Sequence, residues 1–323
     1  MGEIKTIGVL TSGGDAPGMN PAIRAVVRSA IYYGMNVKGI RHGYNGLIND
    51  DIVDLNLRSV SEIIHRGGTM LYTARSKEFM TAEGQQKAYE TCVKHGIDAL
   101  VVIGGDGSFR GCQAISKKGI KTIGIPGTID NDIACSDYTI GYDTALNTAM
   151  EMIDKLRDTT QSHERCSVVE VMGRHAGYLA INTGIATGAL CTLIPEKEFD
   201  IERDVIGRIQ ETQKQGKKNF IILVAEGVGK VFDIANYIEM RTGIETRATV
   251  LGHVQRGGSP SMRDRVTAAE MAVEAVELLN SGVYNRVIGL HDNKVVNYDI
   301  EEALRMQKEL DPHLISIANI ISI

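Results

Sequence analysis

The chain has 323 residues, 43% of them hydrophobic, with 35 Lys and Arg against 40 Asp and Glu and a formal net charge of −5. That length exceeds one typical core and predicts two domains of an α/β protein, while the acidic balance argues against general nucleic-acid binding. No apolar run is long enough to span a membrane and no signal peptide opens the chain. Five cysteines, Cys92, Cys112, Cys135, Cys166 and Cys191, lack any CxxC spacing and read as free thiols in a reducing, cytoplasmic setting.

Short β-rich runs alternate with helical patterns. Residues 4–10 read as a first strand. Asn20 is the expected cap of the next helix, Pro21 suits its first turn and Gly34 its end. Further strands are expected at 37–40, 99–103, 122–125, 167–171, 190–194, 220–224 and 248–251. Most lack alternation, as strands buried on both faces do. Helices fit between them at 107–117, 143–157, 201–213, 232–241 and 263–279. In the second, Leu146, Ala149, Met150, Ile153 and Leu156 form one apolar stripe that reads as core packing. The alternation predicts an α/β fold with a largely parallel sheet and helices on both faces. A domain boundary is expected near Gly141, where a long helix starts.

Three turns that follow strands carry the chemistry. Residues 11–20 read TSGGDAPGMN. Gly13 and Gly14 let backbone N–H groups approach an anion at a helix N-terminus. No Gly-Lys-Ser/Thr or GxGxxG follows, so a plain structural turn explains this segment as well as a phosphate site does. Gly104-Gly105-Asp106-Gly107-Ser108 repeats the layout and adds an acid. Asp106 either holds Mg²⁺, directly or through water, or caps a helix. In Thr128-Ile129-Asp130-Asn131-Asp132, an extended loop would turn Thr128, Asp130 and Asp132 to one side. If strands 99–103 and 122–125 are parallel neighbours, about 4.8 Å apart, Asp106 and Asp130 meet at the carboxyl edge of the sheet. One carboxylate beside a metal and another facing a hydroxyl suit proton removal from an alcohol that attacks a γ-phosphate. A solvated acidic turn is the plainer alternative.

Arg75, Arg165, Arg174, Arg247 and Arg256 stand beside glycines or at strand ends. Arginine suits bidentate contacts to phosphate, and several of them predict an acceptor that already carries a phosphate. Glu226, after an apolar strand, either accepts hydrogen bonds from sugar hydroxyls or forms a strand-end ion pair.

With these loops in order, the chain resembles the bacterial-type ATP-dependent 6-phosphofructokinases. The likeness runs from Ile7 to about residue 300 through TSGGDAPGMN, RGGT, GGDGS, PGTIDND, SHER, VMGRHAG, VAEG, ETR and LGHVQRGGSP. It implies glycolytic phosphoryl transfer from Mg·ATP to fructose 6-phosphate, with Asp130 as general base for the sugar 1-hydroxyl. Thr128 and Asp132 would support the transferring group, and Asp106 would hold Mg²⁺. The Gly14 backbone would approach the phosphates, and Arg75 and Arg174 would neutralise developing charge. Arg75, Ser76, Gly105, Gly107, Ser108 and Gly111 would belong to the ATP side. Ile129, Met172, Gly173, Arg174, Glu226, His253 and Arg256 would hold the sugar phosphate. Arg165 and Arg247 match residues that reach the site from a neighbouring subunit of a homotetramer.

The likeness also implies two three-layer α/β/α domains with mostly parallel sheets, discontinuous in sequence. Residues 1–141 plus 255–305 would form the larger, ATP-binding domain. Residues 142–254 plus 306–323 would form the smaller, fructose 6-phosphate-binding one, with the active site in the cleft between them. Relatives that use pyrophosphate usually carry Asp at 107 and Lys at 127. Both positions are glycine here, which favours ATP over a pyrophosphate-dependent enzyme. The presence of Asp106 and Asp130 argues against a non-catalytic nucleotide sensor.

Arg24, Arg28, Arg157, Gly188, Lys217 and Lys218 match a second nucleotide site, where ADP activates and phosphoenolpyruvate inhibits relatives. Arg24 and Arg28 lie one helical turn apart, where like charges repel unless an anion sits between them; a solvated basic face is the alternative. Leu190 replaces a frequent Glu, Gln215 a frequent basic residue and Asn219 a frequent His, so weakened or changed regulation is expected, with catalysis intact. Leu314, Ile315, Ile317 and Ile320 in the tail suggest packing.

Overall fold

Residues 4–322 are described by the computed structural model, and strands and helices alternate through them. The chain begins with β1 (Thr6–Ser12), α1 (Met19–Tyr32), β2 (Asn36–Ile40), α2 (Tyr44–Ile48), β3 (Ile52–Leu55), α3 (Ala82–Lys94), β4 (Ala99–Gly104), α4 (Asp106–Ser116) and β5 (Lys121–Pro126). It continues through α5 (Tyr142–Ser162), β6 (Cys166–Val171), α6 (Tyr178–Thr187), β7 (Cys191–Leu193), α7 (Gly207–Lys214), β8 (Phe220–Ala225), α8 (Val231–Thr242) and β9 (Thr246–Val250). It closes with α9 (Met262–Asn280), β10 (Arg286–His291), β11 (Lys294–Asp299), α10 (Ile300–Arg305) and α11 (Pro312–Ile320). Two units divide the chain. The first takes residues up to Ile129, Ile133–Thr144 and Arg256–Lys308; the second takes Asp130–Asp132, Ala145–Gln255 and residues from Glu309 onward.

The first unit is built on a seven-stranded sheet in the order β11-β10-β5-β4-β1-β2-β3. Its five inner strands run parallel, while β3 and β11 are antiparallel edges. All six residues of β4 are buried, as its unalternated sequence predicts for a strand covered on both faces. One cover is α1 packed on α9. Under the other, Leu10, Leu100 and Val102 pack with Tyr44, Cys92, Phe109 and Ile115. Gly124 makes room for Phe109, whose ring carbon would stand 2.6 Å from an added Cβ.

The second unit is built on a parallel sheet in the order β7-β8-β6-β9. Val168, Phe220, Ile222 and Val224 pack there against Ile209 of α7 and Ile234 and Ile238 of α8. All five cysteines are buried free thiols. Burial pushes Cys92, Cys112 and Cys166 up to about 12, and Cys135 and Cys191 up to about 11, so these thiols pack rather than react. No helix among the described residues is long and apolar enough to cross a membrane.

Two local expectations are corrected. Asn20 does not cap α1. The cap is Gly18, at φ 113, where a Cβ would stand 2.5 Å from Ile140 Cγ2. Asn20 is buried and ties a distant loop instead, donating to Arg66 and Gly67 carbonyls at 3.1 Å and accepting from Met70 N–H at 2.7 Å. The helix expected at 201–213 opens as a π turn, Glu202–Ile206, before α7 begins.

Candidate functional site

Register fixes the geometry of the first unit. Ser12 pairs with Gly104, and Gly104 pairs with Pro126, so β1, β4 and β5 end level. The three chemically loaded turns therefore leave neighbouring strands at one carboxyl edge, the usual ligand edge of an open α/β sheet. Gly104 must be glycine, because an added Cβ would stand 2.5 Å from the Ser12 carbonyl and 2.4 Å from Ser108 Oγ. Ser108 is buried and donates its hydroxyl to the Ser12 carbonyl at 3.1 Å, which ties the start of α4 to the end of β1.

The first turn is braced from both sides. Gly13 N–H donates to the Ala74 carbonyl at 3.3 Å, and Thr73 Oγ1 donates to the Gly13 carbonyl at 2.9 Å. That places the segment carrying Arg75 and Ser76 beside the turn. Arg75 is exposed, whereas the Ser76 hydroxyl accepts from Phe79 N–H at 3.1 Å. Arg256 donates from Nη1 to the Asp15 carbonyl at 2.9 Å, and a Cβ at Gly14 would stand 2.7 Å from that nitrogen. The structure thus sets Arg256, expected on the sugar-phosphate side, against the glycine turn of the first unit.

Asp106 and Gly107 are exposed at the first turn of α4, whose cap is Gly105. An added Cβ at Gly107 meets no atom within 4 Å, so nothing within the protein requires glycine there. Gly111 differs: it is buried, and its Cβ would stand 2.4 Å from the Tyr44 ring, so its small size serves packing between α2 and α4.

Gly127 N–H donates to the Gly104 carbonyl at 3.0 Å, continuing the pairing of β5 with β4. Beyond it Thr128, Ile129, Asp130 and Asn131 are all buried. The chain bends at Ile129 and Asp130 and turns left-handed at Asn131, φ 52. This replaces the expected extended run, so simple alternation does not set the directions of Thr128, Asp130 and Asp132. Asp132 acts electrostatically on Tyr178, whose hydroxyl is pushed up to about 12 first by burial and then by Glu196, Asp132 and Glu309.

In the second unit β6 and β8 pair Val171 with Ala225, so their carboxyl ends are also level. Met172, Gly173 and Arg174 follow one strand and Glu226 the other, and Glu226 N–H donates to the Val171 carbonyl at 2.9 Å. Arg174 holds φ 55, in the left-handed region. A Cβ at Gly227 would stand 2.6 Å from the Arg174 carbonyl, so the two loops touch. Buried Gln255 holds the first of these loops by accepting from Met172 N–H at 3.3 Å, while nearby His253 is exposed. Burial and then the nearby Glu226 raise the Glu170 carboxyl above its ordinary range, an acid pair that sequence reading missed.

Arg165 and Arg247 lie elsewhere. They sit at the amino ends of β6 and β9, where both bind Glu245, Arg165 at 2.6 Å. Those two arginines hold the Glu245 carboxyl below its ordinary range. Six residues of β6 separate Arg165 from the Arg174 loop, roughly 20 Å at ~3.3 Å per residue.

Of the residues matching a second nucleotide site, Arg157 donates to the Thr187 carbonyl, next to Gly188 at the end of α6. Burial and then Arg157 lower the Lys217 pKa, so these two cations are neighbours. Lys218 is drawn to Glu164 at 2.9 Å. Leu190 is 1% exposed within the apolar core. Arg24 is half-buried and Arg28 exposed on α1.

The profile of the phosphofructokinase family matches residues 6–279. An ATP-dependent 6-phosphofructokinase of Clostridium botulinum is 55% identical over 319 residues, covering 99% of this chain and all of the relative. One from Clostridioides difficile is 54% identical over 320 residues, with the same coverage. A solved structure of phosphofructokinase from Saccharomyces cerevisiae aligns with a TM-score of 0.88 at 35% identity, covering 99% of this chain and 48% of the yeast one. This chain therefore spans about half of the yeast chain.

The glycines of the central turn separate by cause. Gly104→Ala should destabilise the protein by about 1–3 kcal/mol, because backbone must shift, and lower the unfolding temperature. Gly107→Ala, at an open helical position, should leave that temperature nearly unchanged or slightly raised. Equal effects in thermal unfolding would contradict this assignment.

Proposed function

This chain belongs to the phosphofructokinase family, and from that premise we propose how its residues carry out phosphoryl transfer. The reaction is ATP-dependent transfer to fructose 6-phosphate, giving fructose 1,6-bisphosphate and ADP, a step of glycolysis. Asp130 takes the proton of the sugar 1-hydroxyl. That oxygen attacks the γ-phosphorus, and the bond from phosphorus to the ADP oxygen breaks. Thr128 and Asp132 steady the transferring group, Gly14 presents backbone N–H to the phosphates, and Arg75 and Arg174 neutralise the charge that develops. Ser76, Gly105, Gly107, Ser108 and Gly111 line the nucleotide side. Ile129, Met172, Gly173, Glu226, His253 and Arg256 serve the sugar phosphate. The observation that carries this reading is the level ending of β1, β4 and β5, which brings three phosphate-suited turns to one edge.

Asp106 is the residue suited to hold Mg²⁺. It is exposed at its turn, and no cluster of three His, Cys, Asp or Glu among the described residues would hold a metal unaided. A single carboxylate fits Mg²⁺, which completes its shell with phosphate oxygens and water. Held there with the nucleotide, the ion would offset phosphate charge. Open space at Gly107 supports ATP as donor, since an Asp there would set negative charge where the α-phosphate passes. Buried free thiols support a cytoplasmic setting.

We infer a homotetramer. Arg165 and Arg247 stand at the amino edge of the second sheet and Arg174 beyond its carboxyl edge, which supports their serving a neighbouring subunit. The second nucleotide site is altered: Leu190 is buried and cannot ligate an effector's metal, so ADP and phosphoenolpyruvate act weakly.

Asp130→Ser should lower kcat by about 10²–10⁴-fold with the fold intact; full activity would remove the base assignment. Assemblies mixed from inactive Asp130→Ser and Arg165→Ala chains should regain activity, because some sites receive both intact residues. No recovery would contradict the shared site. Fructose 6-phosphate saturation curves should shift little with ADP or phosphoenolpyruvate, whereas strong sigmoidality relieved by ADP would overturn the altered effector site.

A further inference from the structure

Asp264 is fully buried near the start of α9, and its carboxylate gathers donors from residues 138–144 and from the helix cap Ser261. Oδ1 accepts from Gly141 N–H at 2.7 Å and from Tyr138 OH at 2.5 Å. Oδ2 accepts from Thr144 N–H at 2.9 Å, from the Thr144 hydroxyl, and from Ser261 Oγ at 3.5 Å. The Arg263 guanidinium lies over the Tyr138 ring, 4.3 Å from its centroid. Residues 138–144 are thereby strapped to α9.

The same strap runs beside two of the phosphate-side turns. Ile140 N–H donates to the Pro126 carbonyl at 3.0 Å, and Ile140 bridges Gly127 as a short parallel partner. Thr139 Oγ1 donates to the Thr128 carbonyl at 2.6 Å. On its other side the strap meets the first glycine turn. A Cβ on Gly141 would stand 2.7 Å from Ala16 Cβ and 3.2 Å from the Pro17 carbonyl, and one on Gly18 would stand 3.5 Å from Asp264 Cβ. One carboxylate thus holds a segment wedged between the turn that carries Gly14 and the loop that carries Thr128.

We propose that Asp264 is a positioning residue for phosphoryl transfer: through the 138–144 strap it sets the Thr128 loop and the Gly14 turn in register with each other. It touches neither substrate. Its effect is on placement, and a displacement of about 1 Å at reacting groups can cost on the order of 10²-fold in rate. Neither partner of a buried carboxylate network is easily replaced, because its donors would be left unsatisfied. Asparagine keeps the shape of Asp264 but turns one acceptor oxygen into a donor that faces the Thr144 or Gly141 N–H.

The inference rests on the phosphoryl-transfer reading, and the test separates the two. Kinetics and native amide exchange would be compared for the whole protein, Asp264→Asn, Thr139→Val and the double variant. Thr139→Val removes the hydroxyl that donates to the Thr128 carbonyl, leaves the Asp264 carboxylate in place, and guards against misfolding of Asp264→Asn. We expect kcat to fall about 10- to 100-fold in Asp264→Asn and about 10-fold in Thr139→Val, with KM for both substrates within about twofold. The double variant should lose less than the product of the two. Exchange at the Gly127 and Ile140 amides should quicken in Asp264→Asn. Unchanged kcat, or a loss matched by the unfolded fraction alone, would overturn the role of Asp264. Absence of activity in the unaltered protein would count against the phosphoryl-transfer reading alone. Exchange would then decide the strap, and unchanged protection at Gly127 and Ile140 would refute it.

Discussion

The hydrogen-bonded register of three parallel strands is the constraint on which the rest depends. Ser12, Gly104 and Pro126 lie level, so the turns after β1, β4 and β5 have no freedom to be staggered. A slip of one residue would reverse which side chains face each helical layer, and burial on both faces resists it. The glycine at 104 is part of the same constraint, because the β1 carbonyl and the α4 hydroxyl both occupy the space its side chain would need. The alignment of these turns is a consequence of packing behind them.

Glycine serves three separate purposes in the turns at this edge. At Gly104 and Gly111 it allows close approach of backbone or ring. At Gly18 it supplies a left-handed cap. At Gly107 the surrounding protein asks for nothing, and the proposed reason is room for a ligand. Sequence shows all of them as one kind of residue, and only neighbours tell them apart.

The strands were legible because β4, β8 and their neighbours are apolar runs without alternation, and parallel pairing of 99–103 with 122–125 follows from the intervening helix. Asp106 and Asp130 were legible as acids among glycines after strands. Other features were not. Asn20 has the composition of a cap, but a left-handed glycine took that role and freed its amide for a loop about fifty residues away. The bend at Ile129 and Asp130 and the burial of Thr128–Asn131 are not encoded in the local pattern. Asp264 did carry a signal, since Ser261 and Asp264 stand at capping-box spacing. Ser261 Oγ accepts from Asp264 N–H at 3.2 Å as that motif requires. The Asp264 carboxylate is spent on residues over a hundred positions earlier, a contact that no spacing rule reveals. Arg165 and Arg247 look like any arginines near strand ends until the register puts them at the opposite edge from Arg174.

The central claim is that this edge transfers a phosphoryl group from a nucleotide rather than from pyrophosphate. The direct measurement is the initial rate of fructose 1,6-bisphosphate formation from fructose 6-phosphate and Mg²⁺, with ATP or with pyrophosphate as sole donor. The account predicts rapid turnover with ATP and little above background with pyrophosphate. Comparable or faster turnover with pyrophosphate would contradict it.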